Sequence, residues 1–385
     1  MTASRQASAL RSEVRDIALG TADPAGFRHA VLDTIRRRIR YDIGCIALVD
    51  PASMLFTAVT MLDADAPAGR AAETVAHIEY GTSRFANTYR KLARTRTGVQ
   101  TIREAIDCDI RDSLPYSEIL EPQGMDDEVR LVFRGRDGRV WGGGTLMRGP
   151  GRRFDADDVA ALAGCVGEIS DGLRLSLLRE SPRLPADASP GGSGPAVVVV
   201  GADNEIESAT PQAVEYLERL GAEGSFMLPA VVVAVRFRYE GAAARVVRAR
   251  TEDGQWLVLR AGLLDGRGES ARIVVAIEPA QPGQLVALTA ALHGLTERET
   301  DVLARVLAGE TRTEIARGLF ISPYTAQDHL KSIYAKTGVN SRQELVARLF
   351  FTHCLPRVGT EIGPDGWFVE KPAPTNVPVG AHRKR

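Results

Sequence analysis

The sequence predicts a multidomain chain: two α+β regions followed by an all-α, four-helix helix-turn-helix domain. Three observations carry that prediction. The first is the stretch Leu295 to Phe351, where four helices are delimited by their caps. Its second and third helices are separated only by Leu319-Phe320-Ile321-Ser322, the tight corner a helix-turn-helix needs. The second observation is the alternation of helical stripes and strand-like runs ahead of that stretch. The third is size and composition: 385 residues exceed one ordinary domain, and 44% hydrophobic with 25% charged residues leave room for buried cores.

Residues 1–180 form the first region. Pro24 to Arg40 carries Phe27, Val31, Ile35 and Ile39 at four-residue steps, a helical stripe. Ile43 to Val49 and Leu55 to Met61 read as strands on either side of the Asp50-Pro51 turn. Val129 to Phe133 and Val140 to Met147 flank Arg136-Asp137-Gly138, a hairpin signal. Asp155 caps one long helix reaching Arg179, striped by Val159, Leu162, Val166, Ile169, Leu173 and Leu177. The stretch from Asp63 to Glu128 offers little pattern. Residues 181–195, rich in Pro, Gly and Ser, read as a flexible linker. In residues 196–280 a strand from Ala196 to Gly201 turns through Asp203-Asn204, and Thr210 with Pro211 starts a helix. Strands follow at Arg245 to Arg250, Gln255 to Arg260 and Arg272 to Ile277. Residues 281–355 carry the helical domain, and residues 356–385 read as a disordered basic tail ending His382-Arg383-Lys384-Arg385.

Charge and motifs narrow the function classes. Net charge is -1, so attraction to a polyanion has to come from a local basic face. The longest apolar runs, Leu228 to Val235 and Ala196 to Val200, fall far short of the ~20 residues a membrane helix requires, and Met1 to Arg15 lacks the apolar segment of a secretory signal. A cytoplasmic protein without membrane contact is expected. Cys45, Cys108, Cys165 and Cys354 form no CxxC pair and read as reduced, mostly buried thiols. His29, His77 and Cys45 lack ligand spacing, so no metal and no cofactor is expected, and cofactor-binding residues stay unknown. The sequence has no GxxxxGK[ST], HExxH or GxSxG motif, and Asp50 lacks the acidic partners of a phosphoacceptor. An enzyme is not expected.

The helical domain repays closer reading. Thr296 and Glu299 form a capping box that starts its first helix, whose apolar stripe is Val302, Leu303, Val306 and Leu307 and whose end is Gly309. The second helix, from about Arg312 to Leu319, buries Ile315, Ala316 and Leu319. Ser322 caps the third and Pro323 opens it. There Ala326, Leu330, Ile333 and Tyr334 face the core, leaving Tyr324, Gln327, Asp328, Lys331, Ser332 and Ala335 outward as a groove-reading helix presents them. Gly338 closes it. Ser341 and Glu344 form another capping box, and the Leu345, Leu349, Phe350 stripe of the last helix exceeds what so small a domain covers, which points to a second copy.

These residues resemble the C-terminal domain of LuxR-type (GerE-type) regulators, whose pattern runs LTxRExEVLxxxxxGxxxxEIAxxLxISxxTVxxHxxxIxxKxGVxSRxEL. The matches are Leu295-Thr296, Arg298-Glu299, Val302-Leu303, Gly309, Glu314-Ile315-Ala316, Leu319, Ile321-Ser322, Thr325, His329, Ile333, Lys336, Gly338-Val339 and Ser341-Arg342. Departures are Ala326 where valine is usual, Gln327 where lysine is frequent and Thr337 where leucine is common. The resemblance implies a sequence-specific regulator of transcription on double-stranded DNA, acting as a homodimer. It sets Gln327, Asp328 and Lys331 toward base edges, and Thr325, His329, Lys336 and Arg342 at or behind the phosphate backbone. Asp328 stays open between a cytosine contact and a pair with Lys331, and His329 between phosphate and a bond inside the domain. By order of elements alone, residues 1–180 resemble a GAF domain and residues 196–280 a PAS domain, which implies sensor regions with room for a small-molecule effector. The alternative reading is a signalling or protein-interaction module whose helix-turn-helix does not bind DNA; it keeps the core stripe but has no need of Lys331 and Lys336.

Overall fold

Local chemistry starts most of the helices where the sequence marks them. Asp23 accepts hydrogen bonds from the N–H groups of Ala25 and Gly26, and Pro24 opens the helix it caps. Asp155 does the same through a capping box with Asp158. The computed structural model describes residues 3–21, 23–62, 68–81, 87–113, 115–179, 194–237, 245–265 and 271–347. Residues 181–193 of the linker, the basic tail, Cys354, and the expected Leu349 and Phe350 of the last stripe lie outside the described residues.

The first region runs α1 (Ala3–Gly20), α2 (Pro24–Arg38), β1 (Ile43–Val49), β2 (Phe56–Leu62), α3 (Ala68–Tyr80), α4 (Tyr89–Leu92), β3 (Val99–Thr101), α5 (Ile102–Ala105), β4 (Asp127–Arg134), β5 (Val140–Arg148), α6 (Ala156–Ala163) and α7 (Val166–Arg179). Its strands make one antiparallel sheet in the order β2-β1-β5-β4-β3. Two expectations change here. Helix α1 adds to the elements read from sequence, burying the narrow stripe Leu10, Val14 and Ala18 against α2 and α7. The expected single helix from Asp155 to Arg179 is two, because the Gly164 carbonyl leaves the helical ladder and accepts from Arg11 Nε at 2.9 Å.

The second region repeats the same sheet. It runs β6 (Ala196–Val200), β7 (Ile206–Ala209), α8 (Pro211–Arg219), α9 (Met227–Arg236), β8 (Val246–Arg250), β9 (Trp256–Asp265) and β10 (Arg272–Pro279), with the antiparallel order β7-β6-β10-β9-β8. Helix α9 is the apolar run that sequence reading notes only as too short to cross a membrane. It is buried on every side, packed against β9 of its own sheet and against α3 and β2 of the first region. The two sheet regions therefore share one apolar core. Asp50 clamps them: beyond holding its own turn through Ala52 N–H, its carboxylate receives Arg248 Nη2 at 2.6 Å and Nε at 2.9 Å. Asp50 is 1% exposed, so the pair is a desolvated one.

Helix α10 (Pro282–Leu292) follows and faces two ways. Leu285, Leu288, Ala291 and Leu292 join the core of the first region, while Ala290 and Val286 join that of the helical domain. Arg139 and Arg174 of the first region donate to the carbonyls of Leu295 and Leu292, and so tie the domain's root to the sheets. Among the described residues no helix is long and apolar enough to cross a membrane. Cys45, Cys108 and Cys165 are free thiols, but Cys108 is exposed, against expectation, because it sits in the loop after α5. Burial pushes the Cys165 thiol up to about 12.

Candidate nucleic-acid interface

After α10, each helix of the C-terminal domain begins at a hydroxyl. For α11 (Glu297–Leu307), Thr296 Oγ1 accepts from the Glu299 N–H and the Glu299 carboxylate accepts from the Thr296 N–H at 2.7 Å. Thr311 and Glu314 repeat that box at α12 (Arg312–Gly318). Ser322 accepts from the Thr325 N–H at 3.0 Å and starts α13 (Pro323–Thr337), and Gly338 ends it at φ 68°. Residues 342–347 are helical again. There Ser341 accepts from the Glu344 N–H, but the Glu344 carboxylate reaches back to the Asn340 N–H at 2.8 Å, one residue beyond the expected box.

The domain's interior is apolar. Val302, Leu303, Val306, Ile315, Ala316, Ala326, Leu330, Ile333 and Leu345 are all buried. Since Ala326, Leu330, Ile333 and Thr337 point inward, 3.6 residues per turn puts Tyr324, Gln327, Asp328 and Lys331 on the opposite flank of α13. Tyr324 is 76% exposed. Lys331 and Asp328 are exposed and lie 4.0 Å apart, a weak surface pair that leaves both available to a partner. Gln327 is half-buried and accepts from Arg312 Nη1 at 3.3 Å.

The adjoining flank turns toward α11. Thr325 is exposed at the cap, bonded to Ser322, and His329 is half-buried. Ser332, expected outward, instead donates to Glu299 Oε1 at 2.6 Å, because its place on the turn aims it at α11. Lys336 donates to Glu299 Oε2 at 2.7 Å. Burial of Glu299 disfavours its charge, yet the bonds from Lys336, Ser332 and the Thr296 N–H outweigh burial and take the carboxyl down to about 2. Glu299 is thus a buried anchor between α11 and α13 and not the surface charge its capping position suggests. Arg342 donates to the carbonyls of Glu310 at 2.6 Å and Val306 at 2.9 Å, satisfying the C-terminal end of α11.

The structure therefore brings Tyr324, Thr325, Asp328 and Lys331 together on exposed surface, with Gln327 half-buried among them. Lys336 and Arg342 are engaged in the domain's own framework, which competes with the phosphate contacts expected of them. Sequence reasoning missed two residues at this surface. Phe320 stands at the corner between α12 and α13, 97% exposed and at φ 56°, a left-handed conformation that a bulky residue seldom adopts. Arg312, at the start of α12, places a guanidinium against the Gln327 side chain. An aromatic in so tight a corner and a basic first turn are the signals that mark them. Among the described residues no three His, Cys, Asp or Glu side chains gather as a metal site, and His77 packs edge-on against Phe237 at 4.8 Å.

A short-cornered pair of helices, the second presenting an uncovered polar flank, defines a helix-turn-helix domain of the groove-entering class. Residues 293–349 match the family described as bacterial regulatory proteins, luxR family. The chain is 38% identical over 55 residues to the spore germination protein GerE of Bacillus subtilis, covering 14% of this chain and 74% of that protein. It is 40% identical over 53 residues to the CsgBAC operon transcriptional regulatory protein of Escherichia coli, covering 14% of this chain and 24% of that one. A Mycobacterium tuberculosis protein described as an HTH-type transcriptional regulator is 30% identical over 211 residues, 51% of this chain. The chain spans only 23% of the length of that relative. Among solved structures, Escherichia coli SdiA aligns over 91% of this chain and 98% of its own at 13% identity and TM-score 0.32. The chain belongs to the luxR family of bacterial regulatory proteins.

Proposed function

We propose that the chain is a sequence-specific DNA-binding regulator of transcription whose helix α13 enters the major groove. One observation carries this reading: Tyr324, Gln327, Asp328 and Lys331 share the outward flank of a helix whose inner face, Ala326, Leu330, Ile333 and Thr337, is buried, so the helix is held in place while its outward side chains are only weakly engaged. Gln327 matches the donor and acceptor pattern of adenine, and Lys331 that of guanine, while Asp328 accepts from cytosine or steadies Lys331. Thr325 and His329 contact the phosphate backbone in this reading, and Arg312, bonded to Gln327, adds a cation to the same face. In this reading the protein is cytoplasmic, not an enzyme, and acts as a homodimer whose two helical domains reach half-sites about one helical turn apart. The two sheet regions, GAF-like and PAS-like in order of elements, serve as a sensor and spacer for a small-molecule effector. Their shared core and the ties from Arg139 and Arg174 to the root of the helical domain give a stiff path between sheets and DNA.

Anisotropy titration of labelled duplex with the purified chain tests it. Lys331→Ala and Gln327→Ala are each expected to lower affinity for the selected site by ~1–3 kcal/mol while leaving binding to unrelated DNA nearly unchanged. Equal affinity of both variants and parent for the selected site would assign α13 to protein contacts instead.

A further inference from the structure

The interior of the first sheet region holds charge where a core ordinarily holds none. Register sets Cys45 of β1, Thr145 of β5 and Arg130 of β4 in one row across the sheet. Arg130 donates to Glu79 Oε1 at 2.6 Å and to Glu128 Oε1 at 2.5 Å, and its guanidinium lies 5.6 Å from the centre of the Tyr89 ring. All of Glu79, Glu128, Arg130 and Asn87 are buried. The Tyr89 N–H donates to Glu79 Oε2, which completes that carboxylate.

Glu128 is not completed. Asn87 Nδ2 donates to its Oε1 at 3.2 Å, a contact that fixes which way the amide points. Among the described residues, Glu128 Oε2 and Asn87 Oδ1 then have no donor, two fully buried acceptor oxygens on side chains that touch. A buried acceptor without a donor costs about 1–3 kcal/mol, so such a pair marks a place built for something that donates. Charge sets its sign: two carboxylates face one guanidinium, leaving an excess negative charge that burial makes costly, while the electron-rich face of Tyr89 is already turned to the Arg130 guanidinium. Burial correspondingly pushes the Glu79 carboxyl up, against the pull of Arg130.

We propose that Glu128 Oε2 and Asn87 Oδ1 form a binding site for a small protonated amine, which donates one N–H to each oxygen and neutralises the excess carboxylate. A divalent ion fits poorly, since Arg130 already sits within hydrogen-bond distance of the same carboxylate. This deepens the sensor reading by giving the effector a chemical class. Binding is reached by local opening of the region, so association is slow.

The test uses the full chain and two probes, methylammonium and tetramethylammonium chloride, the second having the charge but no N–H. Saturable thermal stabilisation and calorimetric heat with methylammonium, and only a shallow salt response with tetramethylammonium, are expected. Glu128→Gln and Asn87→Ala should each weaken methylammonium at least about tenfold, which is about 1.4 kcal/mol. Indistinguishable responses of the parent protein to the two ions overturn the site and assign the two oxygens to ordered water, whichever variants fold. Retained affinity in a folded variant overturns it equally. If methylammonium binds but leaves DNA affinity unmoved, the site stands and the sensor reading falls.

Discussion

The two sheets are wired alike and filled differently. In the first, the row across β1, β5 and β4 is Cys45, Thr145 and Arg130; in the second, the row across β6, β10, β9 and β8 is Ala196, Ile277, Leu259 and Val247, all buried and apolar. One backbone plan thus supports a hydrogen-bonded ionic row in one sheet and an apolar row in the other. The helical domain adds a third arrangement, with one buried carboxylate, Glu299, anchoring α11 to α13 and the charges of Asp328 and Lys331 outside on α13. Where a charge sits decides what its removal does: inside the first sheet it unsettles the fold, and on the exposed flank of α13 it leaves the fold intact.

Arg130→Ala should have the largest effect. It leaves Glu79 and Glu128 buried together without their shared cation, and about 3–5 kcal/mol of stability is expected to go, read by urea unfolding. Ile277→Ala in the second sheet should cost ~2–5 kcal/mol by opening a cavity, with no change in how stability varies with pH. If Arg130→Ala proved as mild as a surface change, the ionic interior would not be structural and the contrast between the sheets would fail.

Much of this was legible beforehand and some was not, for reasons that lie in particular residues. The caps at Thr296 and Ser322 and the stripe through Ala326, Leu330 and Ile333 are local signals, so α11 and α13 follow from sequence. Strands β1, β4, β5, β8 and β10 follow from their apolar runs and Asp-Gly turns. The ionic interior is invisible locally, because Glu79 and Arg130 are 51 residues apart and meet only through the sheet. Residues 63–128, which offer little pattern, contain α3, α4, β3 and α5, short elements held by tertiary contacts. Glu299 shows how a correct local reading stops short: the capping box is there, but the same carboxylate also binds Ser332 and Lys336 across the domain.

That anchor gives the next prediction. The Glu299 carboxyl sits at about 2 in the folded protein against an ordinary 4.5, so the stability it contributes is present above the ordinary value. It is lost as pH falls from about 4.5 toward about 2. Glu299→Gln should destabilise the helical domain by about 1–3 kcal/mol at neutral pH and flatten its acid limb, followed by amide exchange within α11 and α13. An acid limb unchanged by that substitution would free Lys336 for the phosphate role. Lys331→Ala should change stability least, within about 0.5 kcal/mol, because its side chain is exposed and only weakly paired.

Selection of bound duplexes from a random-sequence pool tests the central claim most directly. Parent protein should enrich a site with two related half-sites about 10 bp apart, and Gln327→Ala should relax preference at one position within each half-site. A folded, dimeric protein that enriches no sequence over the starting pool would contradict the account.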